Sequence, residues 1–91
     1  MAVQGAATLD FGTATAQTSV VVTGQANILS TSFAEAFMFR DTTADHSADE
    51  HANEDIQLIC GDIVEETGFT IYAKLRHGVA NGQFTVRWVW A

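Results

Sequence analysis

A chain of 91 residues, 47% of them hydrophobic, is long enough for one hydrophobic core, and we predict a single domain over residues 1–91. Its net charge of −7 repels phosphate backbones and argues against a nucleic-acid partner. The lone cysteine excludes an intrachain disulfide, and the absence of a signal peptide and of a run of roughly 20 apolar residues predicts folding in a cytoplasm with no membrane partner.

The first half of the chain carries three segments typical of short β-strands. Residues 7–11 alternate apolar and polar side chains, and residues 17–24 are rich in β-branched residues and end in glycine. Residues 33–40 mix good helix formers with three phenylalanines that share one face of a strand, and their strand-forming neighbours favour a strand. In the polar connection before them, Ile28 and Leu29 are expected to pack against the core.

The middle of the chain interrupts this pattern. Residues 41–55 are acidic and rich in alanine, which predicts an irregular or short helical insertion. Alternation returns over residues 56–61, whose even-numbered side chains are expected to face inward, and residues 62–68 form a turn or a short strand.

The last third gives the clearest pattern, because residues 69–75 and 84–90 alternate with period two. The connection over residues 76–82 ends in an Asn-Gly step, which predicts a turn that joins the two strands as a hairpin. About six strands, no long helix and no proline predict an all-β fold, a small antiparallel β-sandwich or jelly-roll-like barrel. The side chains expected on the inner faces are Phe69, Ile71, Ala73, Leu75, Phe84, Val86, Trp88 and Trp90.

Six phenylalanines and two tryptophans are many for so short a chain, and they indicate aromatic surface buried against another subunit. Alternation with polar residues is typical of a half-buried strand, so the two tryptophans are expected in the core or at an interface rather than on a sugar-stacking platform. Lys74 is expected on an outer face, as is Arg87. The predicted interface residues are Trp88, Trp90, Phe37, Phe39, Arg76 and Arg87.

The acidic insertion holds the one cluster with the ligand types of a metal site. Its candidate ligands are Asp45, His46, Glu50 and His51, which suit Zn²⁺ or Mn²⁺ by type. The spacing is poor, because two histidines five residues apart diverge by roughly 140° on a helix. We therefore favour surface or interface histidines that hydrogen-bond to nearby groups, and we predict no bound metal or other cofactor.

No arrangement of residues indicates catalysis. Ser47 is adjacent to a histidine in sequence, where the two cannot form a nucleophile–base pair, and no Gly-x-Ser-x-Gly turn occurs. Cys60 falls on an inward strand position, where a cysteine behaves as a small hydrophobe. The sequence predicts a protein that is not an enzyme.

Charge is distributed unevenly along the chain. Residues 41–66 hold nine of the eleven acids and no lysine or arginine, whereas residues 67–91 hold three of the four basic residues and no acid. The favoured explanation of this distribution is that the acidic residues solvate a loop. The alternative is that the acidic segment of one copy faces the basic C-terminal segment of another.

Several segments together carry a resemblance to a known group of proteins. They are ATLDFG (7–12), VTGQ (22–25), ADH (44–46) with EH (50–51), CGDIV (60–64), TGFTIYA (67–73) and GQFTVRWVWA (82–91). This set resembles small virion-associated structural proteins of tailed bacteriophages. The resemblance implies a multimeric, β-rich capsid decoration (cement) protein, head fibre or tail-associated piece without a catalytic signature.

The function expected from this resemblance is capsid decoration, in which the chain stabilises a shell through subunit contacts. The expected partners are further copies of the chain, with a trimer favoured, and the major capsid protein or other virion subunits. The expected location is the virion, after synthesis in the host bacterial cytoplasm. The alternative is a tail- or head-fibre-associated module that binds a carbohydrate or receptor through exposed aromatics and the His/Asp loop, with or without a metal bound at that loop.

Overall fold

The computed structural model describes residues 2–38, 43, 56–76 and 78–91. The predicted insertion over residues 41–55 lies outside the described residues, apart from Thr43. Regular structure in the described part consists of strands, as predicted. The strands are β1 (Val3–Asp10), β2 (Gln17–Val22), β3 (Ala34–Met38), β4 (Ile56–Val64), β5 (Gly68–Leu75) and β6 (Gln83–Trp90).

These strands form two antiparallel three-stranded sheets that pack as a small β-sandwich, which confirms the predicted all-β fold. The first sheet has the order β1-β6-β3 and the second has the order β2-β5-β4. The two most regularly alternating strands, β5 and β6, are therefore the central strands of different sheets. The described residues contain no helix of the length and hydropathy needed to cross a membrane.

The predicted hairpin between β5 and β6 is wrong. The two strands do not pair, and the chain between them passes from one sheet to the other, where Ala80 forms an isolated bridge with Thr15. The hairpin in this region joins β4 to β5 instead, with Val64 opposite Gly68. The physical reason is that both central strands carry large inward side chains, which bury more surface facing each other across the sandwich than side by side.

The core lies between the two sheets and consists mainly of alternate residues from the central strands, on the faces that their periodicity predicts. The inward side chains of β6 lie opposite those of β5, and the rings of Phe69 and Trp88 meet edge to face with centroids 5.5 Å apart. A second edge-to-face pair joins Phe11 to Phe84, at 5.9 Å. The largest fully buried side chains are Phe11, Phe69, Phe84, Leu9, Ile28, Ile71 and Val86.

Trp88 determines which residues its neighbouring strands can carry. On its inner row it pairs with Gly5 of β1 and with Ala36 of β3. A Cβ atom on Gly5 would lie within 2.9 Å of Trp88 Cε2, so the indole occupies the space that a side chain at this position would need. Small residues on both sides leave room for one large ring.

The same packing explains the orientation of β3. Ala34, Ala36 and Met38 face the core, so Phe37 faces outward and Phe33, just before the strand, is exposed. The shared face predicted for Phe33 and Phe37 is thus an outer face. In the preceding connection Ile28 is buried as expected, whereas the expectation for Leu29 is wrong because its side chain is exposed.

Candidate binding surfaces

The predicted interface residues fall into three groups. Trp88 and Trp90 are only 6% and 7% exposed to solvent and belong to the core of this chain. Phe37 and Arg87 are outward-facing, directly opposite each other on adjacent strands. Arg76 is exposed just after β5, and Phe39 lies outside the described residues.

The two tryptophans differ in how their indole N–H groups are satisfied. Trp90 Nε1 donates to Oε1 of Gln25 at 2.9 Å, a contact that ties the end of β6 to the loop after β2. Trp88 Nε1 is buried and has no hydrogen-bond acceptor within the described part of the chain. Both residues are largely buried within the sandwich.

The four candidate metal ligands, Asp45, His46, Glu50 and His51, lie outside the described residues, so the prediction for them stays a prediction. Among the residues that the structure describes, no group of three or more histidine, cysteine or acidic side chains is close enough to hold a metal ion.

Cys60 lies on the inner side of β4 and is partly buried against the core. Burial, with a smaller contribution from the negative charge of Glu35, raises the pKa of this thiol above its ordinary value of 9.0. A raised pKa disfavours the thiolate, which is the nucleophilic form. The environment is that of a structural cysteine.

The outward side of sheet β1-β6-β3, called the front face here, carries exposed aromatic surface. Phe33 is 72% exposed and Phe37 is 47% exposed. Arg87 lies between Phe37 on one side and Ala6 on the other in the paired register. A hollow of about 390 Å³ opens here, lined by Gln4, Gly5, Phe37, Arg87 and Trp88.

The outward side of sheet β2-β5-β4, called the back face here, has a different composition. Tyr72 lies at its centre, paired with Ser19 on β2 and Ile59 on β4. In the next row Lys74 lies between two glutamines. These rows border an open depression of about 700 Å³, which is lined by Gln17, Thr18, Ser19, Gln57, Ile59, Tyr72, Ala73 and Lys74.

Two contacts hold the Tyr72 ring in position. Its hydroxyl donates a hydrogen bond to Oδ2 of Asp62, and this bond is the main cause that raises the pKa of Tyr72 above its ordinary value. Asp62 has a φ of 51° within the bulge of β4. Gly61 precedes it, and a Cβ atom there would lie 3.9 Å from Tyr72 Cε2, so the ring edge extends over a position without a side chain.

The sequence alone did not single out Tyr72. The sequence signal for this residue was its place in the alternation of residues 69–75, which puts its side chain on the outer face. Its neighbours Ser19 and Ile59 come from strands distant in sequence, whose register depends on the pairing and on the bulge. The depression is therefore a product of tertiary structure.

Comparison with known protein families, with curated proteins and with solved structures finds no match for this chain. Its two outer faces differ in chemistry. The front face offers two exposed phenylalanines, one of them opposite a guanidinium group, and the back face offers a tyrosine with an exposed isoleucine, two amides and an ammonium group.

Proposed function

We propose that this chain is a structural protein of a bacteriophage virion, a capsid decoration protein that stabilises the shell through contacts with its own copies and with shell subunits. The resemblance of its sequence segments to virion-associated proteins supports this role. So does the fold, because a sandwich of two short sheets presents rigid, nearly flat faces to neighbours. The role requires no reaction and no cofactor.

The observation that carries the proposal is the exposed aromatic surface of the front face, where Phe37 lies directly opposite Arg87 and Phe33 is exposed just before the same strand. Covering both side chains in a subunit contact contributes about 2–4 kcal/mol, from the usual value of about 1.5–3 kcal/mol per fully buried large side chain. That is modest for one contact. The contribution of this contact is multiplied when the contact is repeated around a three-fold axis and over a symmetric shell. We therefore favour a trimer on the shell.

Charge supports the same face. The chain carries eleven acidic and four basic residues, so a neighbouring copy presents more carboxylates than basic groups. A guanidinium opposite the exposed ring of Phe37 suits such a neighbour, since arginine pairs with carboxylates and also stacks on rings. Aromatic residues and arginine are the types enriched at the centres of protein interfaces.

The first experiment measures the mass of the purified full-length chain in solution by light scattering, together with the variant Phe37→Ser. We expect an oligomer, most simply a trimer, that Phe37→Ser reduces to a monomer with an unchanged melting temperature. Leu29→Ser is the matched control, because Leu29 is also exposed but lies away from the front face. A wild-type monomer at all concentrations, or a variant that stays oligomeric, contradicts the assignment of the front face.

The second experiment measures co-sedimentation with heads and with free tails of the phage that encodes the chain. Capsid decoration predicts that the chain sediments with heads and that Phe37→Ser weakens this association. Sedimentation with tails alone would move the protein to the tail. Sedimentation with neither would overturn the proposed function.

A further inference from the structure

We infer that the depression on the back face binds a carboxylate-bearing saccharide, with Tyr72 as the stacking platform and Lys74 as the partner of the carboxylate. This site lies on the opposite side of the sandwich from the front face. It goes beyond the proposed decoration role, and either proposal can fail without the other.

The shape of the depression suits a short saccharide. Its volume of about 700 Å³ falls within the range of roughly 300–1,000 Å³ found for small-molecule sites. It is open and shallow, which suits the end or the side of a chain of sugar rings better than a small compact metabolite. Its lining combines the ring of Tyr72 and the exposed side chain of Ile59 with two side-chain amides, hydroxyl groups and one cation.

Tyr72 supplies the apolar contact. The ring is 42% exposed, and its hydroxyl is held by Asp62 while its edge lies over Gly61. A pyranose presents a face of C–H groups that packs against an aromatic ring. Because the ring is already fixed, binding loses little side-chain entropy at this position.

The polar contacts come from the neighbouring row. Gln17 and Gln57 flank Lys74 on the two adjacent strands, and each amide offers both a donor and an acceptor to vicinal hydroxyl groups. Positions two residues apart on a strand are separated by about 6.6 Å, so Tyr72 and Lys74 are spaced by roughly the length of one sugar ring. Ser19 beside the ring adds a further hydroxyl.

Charge selects the class of saccharide. Lys74 places an ammonium group on the back face of a strongly acidic chain, and its neighbours across the sheet are two neutral amides. Asp62 is the acid bonded to Tyr72, and its carboxylate accepts the hydrogen bond of the Tyr72 hydroxyl. A sugar carboxylate, as in a uronic acid, complements this arrangement.

The test is a titration of the ¹⁵N-labelled full-length chain with trigalacturonate, followed by backbone amide shifts, and with maltotriose as the neutral probe. We expect saturable shifts confined to the outward positions of β2, β4 and β5, and at least fivefold weaker binding of maltotriose. Lys74→Gln should weaken trigalacturonate binding at least fivefold, and Tyr72→Ala at least tenfold. Phe37→Ser, on the front face, should leave it unchanged.

Four results would overturn the inference. They are the absence of saturable shifts, shifts centred on another surface, equal affinity for both probes, and full affinity in Lys74→Gln. The last variant keeps the Tyr72–Asp62 contact, so its result stands even if Tyr72→Ala disturbs folding. Shifts on the back face that grow with protein concentration alone would instead assign this face to a second copy of the chain.

Discussion

At the scale of single residues, the interior is specified by pairs of complementary size. Gly5 and Ala36 flank Trp88 on the inner row, and the indole fills the space that their missing atoms leave. On the back face the ring of Tyr72 lies near Gly61 in a similar but looser contact. Only at Gly5 does the ring of the neighbouring strand leave no room for a side chain, because the distance at Gly61 is that of an ordinary contact.

The substitution Gly5→Ala tests the inner pair. The new methyl group would meet the Trp88 ring, so we expect a loss of about 1–3 kcal/mol in the free energy of unfolding, measured by urea denaturation. Gly61→Ala is the matched control, because its Cβ meets only Tyr72 at 3.9 Å, and its effect should stay within about 1 kcal/mol. Equal losses in the two variants would mean that the lost stability comes from replacing any glycine within a strand, rather than from the contact with the indole.

At the scale of elements, periodicity predicted the strands better than it predicted their partners. The inward faces of β5 and β6 follow directly from alternation. Their separation into two sheets does not, because a turn-forming sequence between two strands fits both a hairpin and a crossing between sheets. The outcome depends on how the large inward side chains pack, which involves Phe69 and Trp88 from distant positions.

Gly68 allows the backbone of β5 to approach the end of β2 closely. A Cβ atom at this position would lie 2.8 Å from the carbonyl carbon of Val22, and a backbone atom cannot move aside as a side chain can. We expect Gly68→Ala to cost at least about 3 kcal/mol of unfolding free energy, because the two strands must separate at this end.

The control for this prediction is Gly24→Asn in the adjacent loop. Gly24 has a φ of 77° and no atom near its missing side chain, and asparagine tolerates this backbone conformation. We expect a cost of about 1 kcal/mol or less. A cost for Gly68→Ala as small as this would show that β2 and β5 adjust to the added atom.

At the scale of the whole molecule, the sandwich has two outer faces with separate proposed tasks. The front face is proposed to contact other subunits through its phenylalanines, and the back face is proposed to bind a saccharide. A thin two-layer fold keeps the back face accessible when the front face is covered. This arrangement needs a core that holds the two sheets together, and the edge-to-face contact of Phe69 with Trp88 joins their central strands.

The stability of this fold should fall at alkaline pH. The pKa values of Cys60 and of Tyr72 are both raised in the folded chain, so the folded state holds these protons more tightly than the unfolded state does. The stabilisation is fully present below the ordinary thiol pKa of 9.0 and is lost as the pH rises through the folded values.

We therefore expect the free energy of unfolding to decrease from pH 8 to pH 10.5, with a smaller decrease in the double variant Cys60→Ala, Tyr72→Phe. Urea denaturation at both pH values, with the single variants as controls, measures the difference. An unchanged or rising stability over this interval would contradict the prediction.

Periodicity along the chain was enough to predict the all-β class, the six strands of the described residues, the inward faces of the two central strands and the shared outer face of Tyr72 and Lys74, because a period of two depends only on local chain geometry. The partners of those strands, the outward orientation of Phe37 and the position of the two glutamines beside Lys74 followed only from the tertiary structure. Pairing partners and outer-face neighbours depend on which side chains fill one shared volume. No single segment contains that information.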